Sequence, residues 1–356
     1  MITKWNNCLL GDVLTFQRGY DLPKSKMVHG KYPVVGSNGI IGYHNEYTTE
    51  NPSITIGRSG NTGNPFIVYG RSWSHNTTLY VKDFKDSDPV FVYYLLKTLD
   101  LGNFAGGSAV PTLNRNHIHT LNISVPPLTA QQQISATLSA LDAKIANNKK
   151  INHNLEEMAQ AIFKAWFVDF VPNGTLGEII ELFDFKRVPL SGNQRSQMDK
   201  IYPYYGAATL MDYVDNYIFD GIYLLLGEDG TVITDLGFPV LQYVWGKFCV
   251  NNHAHVLQGR NGYSTESLYI LLQQTNVQAA VTGAVQLKIN QTNLRAVPVF
   301  IPTVEQMAEY NEIISPMFAQ LRMNYEDNKR LAEIRNSLLP RLISGELQIA
   351  NPIETN

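Results

Sequence analysis

The chain has 356 residues, 44% of them hydrophobic and 17% charged, with a formal net charge of −3; the composition excludes a disordered chain, and the length asks for two cores rather than one. The start, "MITKWNNCLLGDV", has no apolar h-region, and runs such as "IYLLLG" fall far short of a membrane span, so a cytoplasmic protein is expected. Cys8 and Cys249 cannot build a disulfide framework or, alone, a zinc site, and read as small buried hydrophobes.

Residues 1–128 begin with short β-like runs, "YPVVG" (32–36), "SITIG" (53–57) and "FIVYG" (66–70), broken by Ser-Asn-Gly and Ser-Gly-Asn turn signals. A short helix is expected around "PVFVYYLLKTL" (89–99), then a strand ending in Pro126. Residues 129–170 predict a long helix with Leu138, Leu141, Ile145, Leu155, Ile162 and Trp166 on a coiled-coil seam, closing in the aromatic "LEEMAQAIFKAWFVDF" (155–170). After the short "VPNGT", residues 171–302 run through the same order, with a short helix at "ESLYILLQQ" (266–274) and a strand ending in Pro302. Residues 303–345 predict the second long helix, with Ser315 as N-cap before Pro316, a seam of Met317, Leu321, Leu331 and Leu338, and Pro340 as its end. Residues 346–356 form a tail.

The order recurs because the chain is duplicated. "YPVVGSNGIIGY" (32–43) returns as "YPYYGAATLMDY" (202–213), and "ITIGRSG" (54–60) as "LLLGEDG" (224–230), both shifted by 170 residues. From the short helix onward the shift is 176, through Tyr93/Tyr269, Gly107/Gly283, Asn114/Asn290, Pro126/Pro302 and Leu155/Leu331. Six extra residues in the second copy lie between its Gly-rich turn and Asn252. The two copies predict similar frames with different loops.

Asn148 and Asn152 fall inside the first seam, and Asn324 and Asn328 at the equivalent places in the second. Such residues either form a shared polar layer that fixes register or face solvent in imperfect heptads. A parallel pairing of the two helices would oblige the chain to return roughly 50 Å with no linker to do it, so an antiparallel pair is expected. The expected architecture is α+β: two similar globular domains on an antiparallel two-helix spacer, related by a pseudo-twofold axis. From Pro316 to Leu339 the second helix would run about 36 Å, near the roughly 34 Å of one B-DNA turn.

The order of "VPPLTAQQQI" (125–134), "AIFKAWFVDF" (161–170), "IPTVEQ" (301–306) and "LLPRLISGEL" (338–347), with "GRSGNTG" (57–63), "NNHAHVL" (251–257) and "GGSAVPTLN" (106–114), resembles specificity subunits of Type I restriction-modification systems over nearly the whole chain. The resemblance implies two target recognition domains, each reading one half of a split double-stranded DNA sequence, on a spacer that fixes the gap. It further implies two methyltransferase (modification) subunits docked on the helices and restriction (motor-nuclease) subunits joining them. No cofactor is then expected on this chain; S-adenosylmethionine, ATP and magnesium would belong to the partners.

The residues themselves hold no catalytic signature. "NPSI" and "NPIE" lack the second Pro and the aromatic of an adenine methyltransferase, and the glycines of "GRSGNTG" and "VGSNGIIG" fit neither the dinucleotide fingerprint nor the P-loop. His253 and His255 alternate as on a strand with no Cys or carboxylate at metal spacing, so no metal is expected. Two other readings stay open: a self-sufficient DNA-modifying or DNA-cleaving enzyme, and a coiled-coil scaffold with carbohydrate- or protein-binding domains.

Residues 1–128 carry 11 Lys and Arg against 8 Asp and Glu, whereas residues 171–302 carry 8 against 11. DNA affinity rests heavily on Lys and Arg, so the acidic second copy requires partner subunits to supply much of the phosphate clamp. Candidate DNA contacts are loop cations and amides suited to guanine and adenine edges. In the first copy they are Arg18, Lys24, Lys26, Arg58, Asn61, Arg71, Asn114 and Arg115. In the second they are Lys186, Arg187, Asn193, Gln194, Arg195, Lys247, Arg260, Asn261 and Lys288. Phe163, Trp166, Phe167 and Phe170 either pack the first helix on the second domain or dock a methyltransferase subunit.

Overall fold

A computed structural model describes residues 5–107, 111–167, 171–283 and 285–349. The chain forms two compact units: residues 1–148 with 326–356, and residues 149–325.

Unit 1 has an antiparallel sheet in the order Thr15–Arg18, Thr78–Asp83, Ser53–Gly57, Pro65–Val68. A three-stranded sheet of Gly39–His44, Tyr32–Gly36 and Trp73–Ser74 accompanies it. Phe16, Ile54, Ile56, Leu79 and Val81 pack against the helix Pro89–Leu96, and Leu138, Leu339, Leu342 and Ile343 of the long helices close the same core. Asp88 starts the short helix by accepting from the Phe91 N–H at 2.8 Å, with Pro89 at its first position, where a missing N–H costs nothing.

In unit 2 the corresponding strands form one six-stranded sheet: Ile180–Leu182, Ala254–Gly259, Phe219–Gly227, Leu241–Val250, Tyr202–Tyr205, Leu210–Val214. The sheets join because Leu241–Val250 is a single strand bent at Gly246 (φ +79°), whereas its counterpart in unit 1 is interrupted around Gly70 (φ +149°). Each glycine takes a backbone conformation that a side chain would strain. The loop that returns Gly227 to Val240 is six residues longer than the one returning Gly57 to Asn64, and it folds into a small turn bridged between Ile233 and Pro239.

The long helices run Leu128–Phe167 and Val304–Ile343. The second does not begin at Ser315 or end at Pro340, as its sequence predicts. Thr303 and Gln306 form a capping box at its start, each side chain accepting from the other's backbone N–H at 3.2 and 3.0 Å. Pro316 then lies mid-helix, where a proline costs about 3 kcal/mol. Met307, Tyr310 and Ile314 before it, and Phe318 and Leu321 after it, are all buried, and that packing outweighs the lost hydrogen bond. Pro340 is carried through likewise by Leu339, Leu342 and Ile343, and the stop comes at Gly345 (φ +78°). At 40 residues the helix is about 60 Å long, so the match to one DNA turn does not hold.

Within each unit the two helices are antiparallel. In unit 1, Arg335 bonds Asp142 while Asn328 accepts from Asn148 at 3.0 Å. In unit 2, Asn324 donates to Asn152 at 2.7 Å, Asn152 donates to the Leu321 carbonyl at 3.1 Å, and the Tyr310 hydroxyl donates to the Ala159 carbonyl at 2.9 Å. All four asparagines are buried, so the polar layer is real and the solvent-facing alternative is not. The first helix turns a slightly different face inward than its sequence predicts: Ala159, Phe163 and Phe167 are buried, while Trp166 is 36% exposed.

Candidate nucleic-acid interface

In unit 1, four of the predicted contacts converge. Arg18 ends a strand opposite Leu79, Arg58 follows the strand Ser53–Gly57, and Thr112–Arg115 crosses beneath, the Leu113 N–H donating to the Arg58 carbonyl at 2.8 Å. With Leu79 and Leu113 as apolar floor, Arg18, Arg58, Asn114 and Arg115 line an open cleft of ≈ 360 Å³. Arg58 donates to the Asn76 carbonyl at 3.3 Å and Arg115 to the Phe16 carbonyl at 3.4 Å; among the described residues neither has a carboxylate at ion-pair distance. Arg18 has one, Asp21, at 3.4 Å and largely exposed. Behind the cleft, His119 accepts from the Phe16 N–H at 3.1 Å and stacks on Phe16. Burial, then the charges of Arg115 and Lys85, hold its pKa below the ordinary value.

Unit 2 builds the same position with other residues. The strand register equates the two sites: Arg18 opposite Leu79 becomes Asp184 beside His255, Ile56↔Leu79 becomes Leu226↔His255, and the Leu113-to-Arg58 bond becomes Ile289-to-Glu228. There His255, fully buried, faces Asp184 at 2.6 Å through Nδ1 and donates from Nε2 to the Ile289 carbonyl at 2.7 Å. Asp184 also accepts from the Val256 N–H at 2.8 Å and from Gln291 at 2.6 Å. Arg187 crosses to Glu228 at 2.6 Å, with Asp184 at 3.6 Å. Burial pushes the Asp184 carboxyl up, but His255, the Val256 N–H and Arg187 outweigh it and hold it below its ordinary value. The ligand atoms of Asp184, Glu228 and His255 lie within 4.8 Å of one another. A cation's place among them is taken by the Arg187 guanidinium, so the trio reads as an internal ion cluster.

The other predicted contacts are mostly committed within the fold. Arg71 pairs with Glu50 at 2.8 Å and lies over the Tyr47 ring, and Arg195 lies over Tyr204 with Asp212 at 3.6 Å. Arg260 and Asn261 donate to the Glu178 carbonyl at 3.1 and 2.6 Å, and Lys288 pairs with Asp229 at 3.1 Å. Gln194 serves a capping box with Ser191, Asn114 caps the turn at Asn116, and Asn61 accepts from Asn64. Lys247 lies over Tyr217, while Lys24, Lys26, Lys186 and Asn193 are exposed without carboxylate partners among the described residues. Sequence reasoning missed Asp184, Glu228, His255 and Gln291 as one cluster. The available signal was the replacement of "GRSG" by "GEDG" at the same turn.

Of the aromatic set, Phe163 and Phe167 are packed with Tyr310 at ring distances of 5.4 and 5.8 Å, their edges lining a cleft of ≈ 240 Å³ with Pro172, Leu271 and Phe300. Trp166 is the member left at the surface, and Phe170 lies outside the described residues. No helix among the described residues is long and apolar enough to cross a membrane.

A family model for the Type I restriction modification DNA specificity domain matches the chain twice, over residues 2–157 and 170–334. The MjaIX specificity subunit of Methanocaldococcus jannaschii is 25% identical, over 73% of this chain and 69% of its own. The HindI specificity subunit of Haemophilus influenzae is 24% identical, over 67% and 71%. The fold is similar to the crystal structure of a Type I S subunit from M. genitalium, with a TM-score of 0.65, 17% identity and 96% of each chain covered. With the domain matched once on each copy of a register-conserved repeat, this chain belongs to the family of Type I restriction-modification specificity subunits.

Proposed function

We propose that the chain acts as the non-catalytic DNA-reading subunit of a Type I restriction-modification assembly in the cytoplasm. Residues 1–128 and 171–302 serve as its two target recognition domains, each reading one half of a bipartite duplex target, and the helices fix the gap between them. The reading is carried by one observation: both units keep the same strand register while changing the side chains at the same turn. A scaffold conserved in backbone and varied in chemistry at one position suits two different half-sites. Arg18, Arg58 and Arg115 are the leading contacts in the first domain; Lys186 and Lys247 are the freest cations among those predicted in the second. Two methyltransferase subunits dock on the helical region, where Trp166 offers an aromatic anchor, and restriction subunits join that complex. Methyl transfer with S-adenosylmethionine and cleavage with ATP and magnesium take place on those partners.

The test is methylation mapping in a host carrying this chain with its modification subunit, against the same host lacking the chain. A split motif with a fixed gap, present only with the chain, is the expected result. A complex that forms and leaves the methylation pattern unchanged defeats the reading, and methyl transfer or cleavage by the purified chain alone points to a self-sufficient enzyme instead.

A further inference from the structure

The cleft of unit 1 and the ion cluster of unit 2 are one structural position with its charge reversed. Arg18 stands where unit 2 has Asp184, Arg58 where it has Glu228, Leu79 where it has His255, and Arg115 where it has Gln291. In unit 2 the anions are built in: the carboxylates of Asp184 and Glu228 are held by Arg187 and His255 within 3.6 Å, and His255 is fully buried. At the corresponding positions unit 1 has no carboxylate, and three arginines from separate segments line an open cleft of ≈ 360 Å³. Among the described residues only Arg18 has an acidic neighbour, and the carbonyl contacts of Arg58 and Arg115 steady each fork while leaving most of its five N–H donors unspent.

Resting on the recognition reading above, we infer that this cleft is a phosphate seat: it takes one backbone phosphate of the half-site read by unit 1, and unit 2 has no equivalent seat because its own carboxylates fill it. Two sources offer acceptor-only groups on DNA, phosphate oxygens and the guanine O6/N7 edge. The shape selects the phosphate. A base edge lies at the floor of a groove about 8.5 Å deep and is reached by a protruding side chain, whereas a recessed cleft receives a group that projects from the duplex. Three arginines lining one cleft also suit the several oxygens of a phosphate better than one planar edge. The seat positions the duplex, and the bases are read elsewhere on the unit.

The experiment uses the full chain with its modification subunits and duplexes carrying the mapped bipartite target, in which each phosphate in turn is replaced by a neutral methylphosphonate. Wild type is compared with the Arg18→Gln, Arg58→Gln, Arg115→Gln triple variant and with Arg18→Gln alone, whose exposed side chain can be changed without disturbing the fold; thermal melting checks that both are folded. The expected result is one phosphate, in one half-site only, whose neutralisation weakens wild-type binding about tenfold and leaves the triple variant unaffected. The slope of log affinity against log salt should fall by about 1 in the triple variant, and the methylated motif should stay the same. If the variants relax the motif at one base pair with an unchanged salt slope, the cleft reads a base edge and the seat is wrong. A salt slope and phosphate profile identical to wild type overturn the seat as well. Failure of wild type to prefer its mapped target would instead remove the recognition reading itself.

Discussion

Replacing His255 by leucine tests the ion cluster of unit 2 directly, because leucine already occupies the equivalent position, Leu79, in unit 1 and so fits this sheet by shape. The substitution removes the Nδ1 partner of Asp184 at 2.6 Å and the Nε2 donor to the Ile289 carbonyl at 2.7 Å. Breaking a buried ion pair by deleting one member costs about 3–5 kcal/mol. Asp184 keeps the Val256 N–H, Gln291 and Arg187, so the lower end, about 3 kcal/mol, is expected here. For a unit of this size each kcal/mol moves the melting midpoint by about 2–4 °C, which places the unit 2 transition about 6–12 °C lower by calorimetry. Adding Asp184→Asn should recover part of the loss, since a neutral amide needs no counter-charge. A His255→Leu transition within about 1 °C of wild type would show that the cluster is worth nothing, and the account of unit 2 as internally neutralised would fall with it.

Acidification probes the same carboxyl. The folded pKa of Asp184 lies below its ordinary value of 3.8, so its contribution is complete above the unfolded value and is lost as the pH drops toward and below about 4. The wild-type melting point should therefore fall between about pH 5 and pH 3 more steeply than that of Asp184→Asn, and parallel curves would refute the assignment. In the helix pair, Asn152→Leu alone leaves Asn324 without its 2.7 Å partner and should cost about 1–3 kcal/mol, while Asn152→Leu with Asn324→Leu should be near neutral by denaturant titration. Phe163→Ala should destabilise unit 2 by about 3–5 kcal/mol because the ring is buried against Tyr310. Trp166→Ala, at a side chain 36% exposed, should cost less than about 2 kcal/mol and weaken co-purification with the modification subunit. Unchanged stability and unchanged assembly together would leave Trp166 with neither role.

The duplication was legible because its markers are residues with backbone work to do: glycines at turns, prolines at strand ends and tyrosines on the repeated hairpin. The polar layer was half legible: the matching heptad places of the four asparagines allowed either a shared layer or solvent-facing amides, and only their burial in the structure decides for the layer. Pro316 misled because a proline's local cost is visible in sequence and the packing of Tyr310, Ile314, Phe318 and Leu321 on both sides of it is not. The inward face of the first helix drifted for want of phase: Phe163 and Trp166 both touch Tyr310, and only the packing of the whole helix decides that Phe163 is buried and Trp166 lies at the surface. The arginine cleft was half legible, with Arg18, Arg58, Asn114 and Arg115 named singly but not as neighbours. Their opposites in unit 2 were hidden because Asp184, Glu228 and His255 are joined only by the register of three strands.

The threading of the chain through its two units dictates an order of assembly. Residues 149–325 are continuous, so unit 2 can complete its core as soon as the second long helix is half made. Unit 1 cannot: Leu339, Leu342 and Ile343 belong to the same buried cluster as Phe16 and Leu79, more than 250 positions earlier. The residues of unit 1 that are made before unit 2 therefore wait, with part of their apolar surface uncovered, for residues 326–343. Closing so long a loop costs little more entropy than closing a shorter one, since the penalty grows only logarithmically, but it ties the folding of unit 1 to the synthesis of residues 326–343. Pulse-labelled chains stopped near residue 325 should hold a protease-resistant second unit and a still-digestible first.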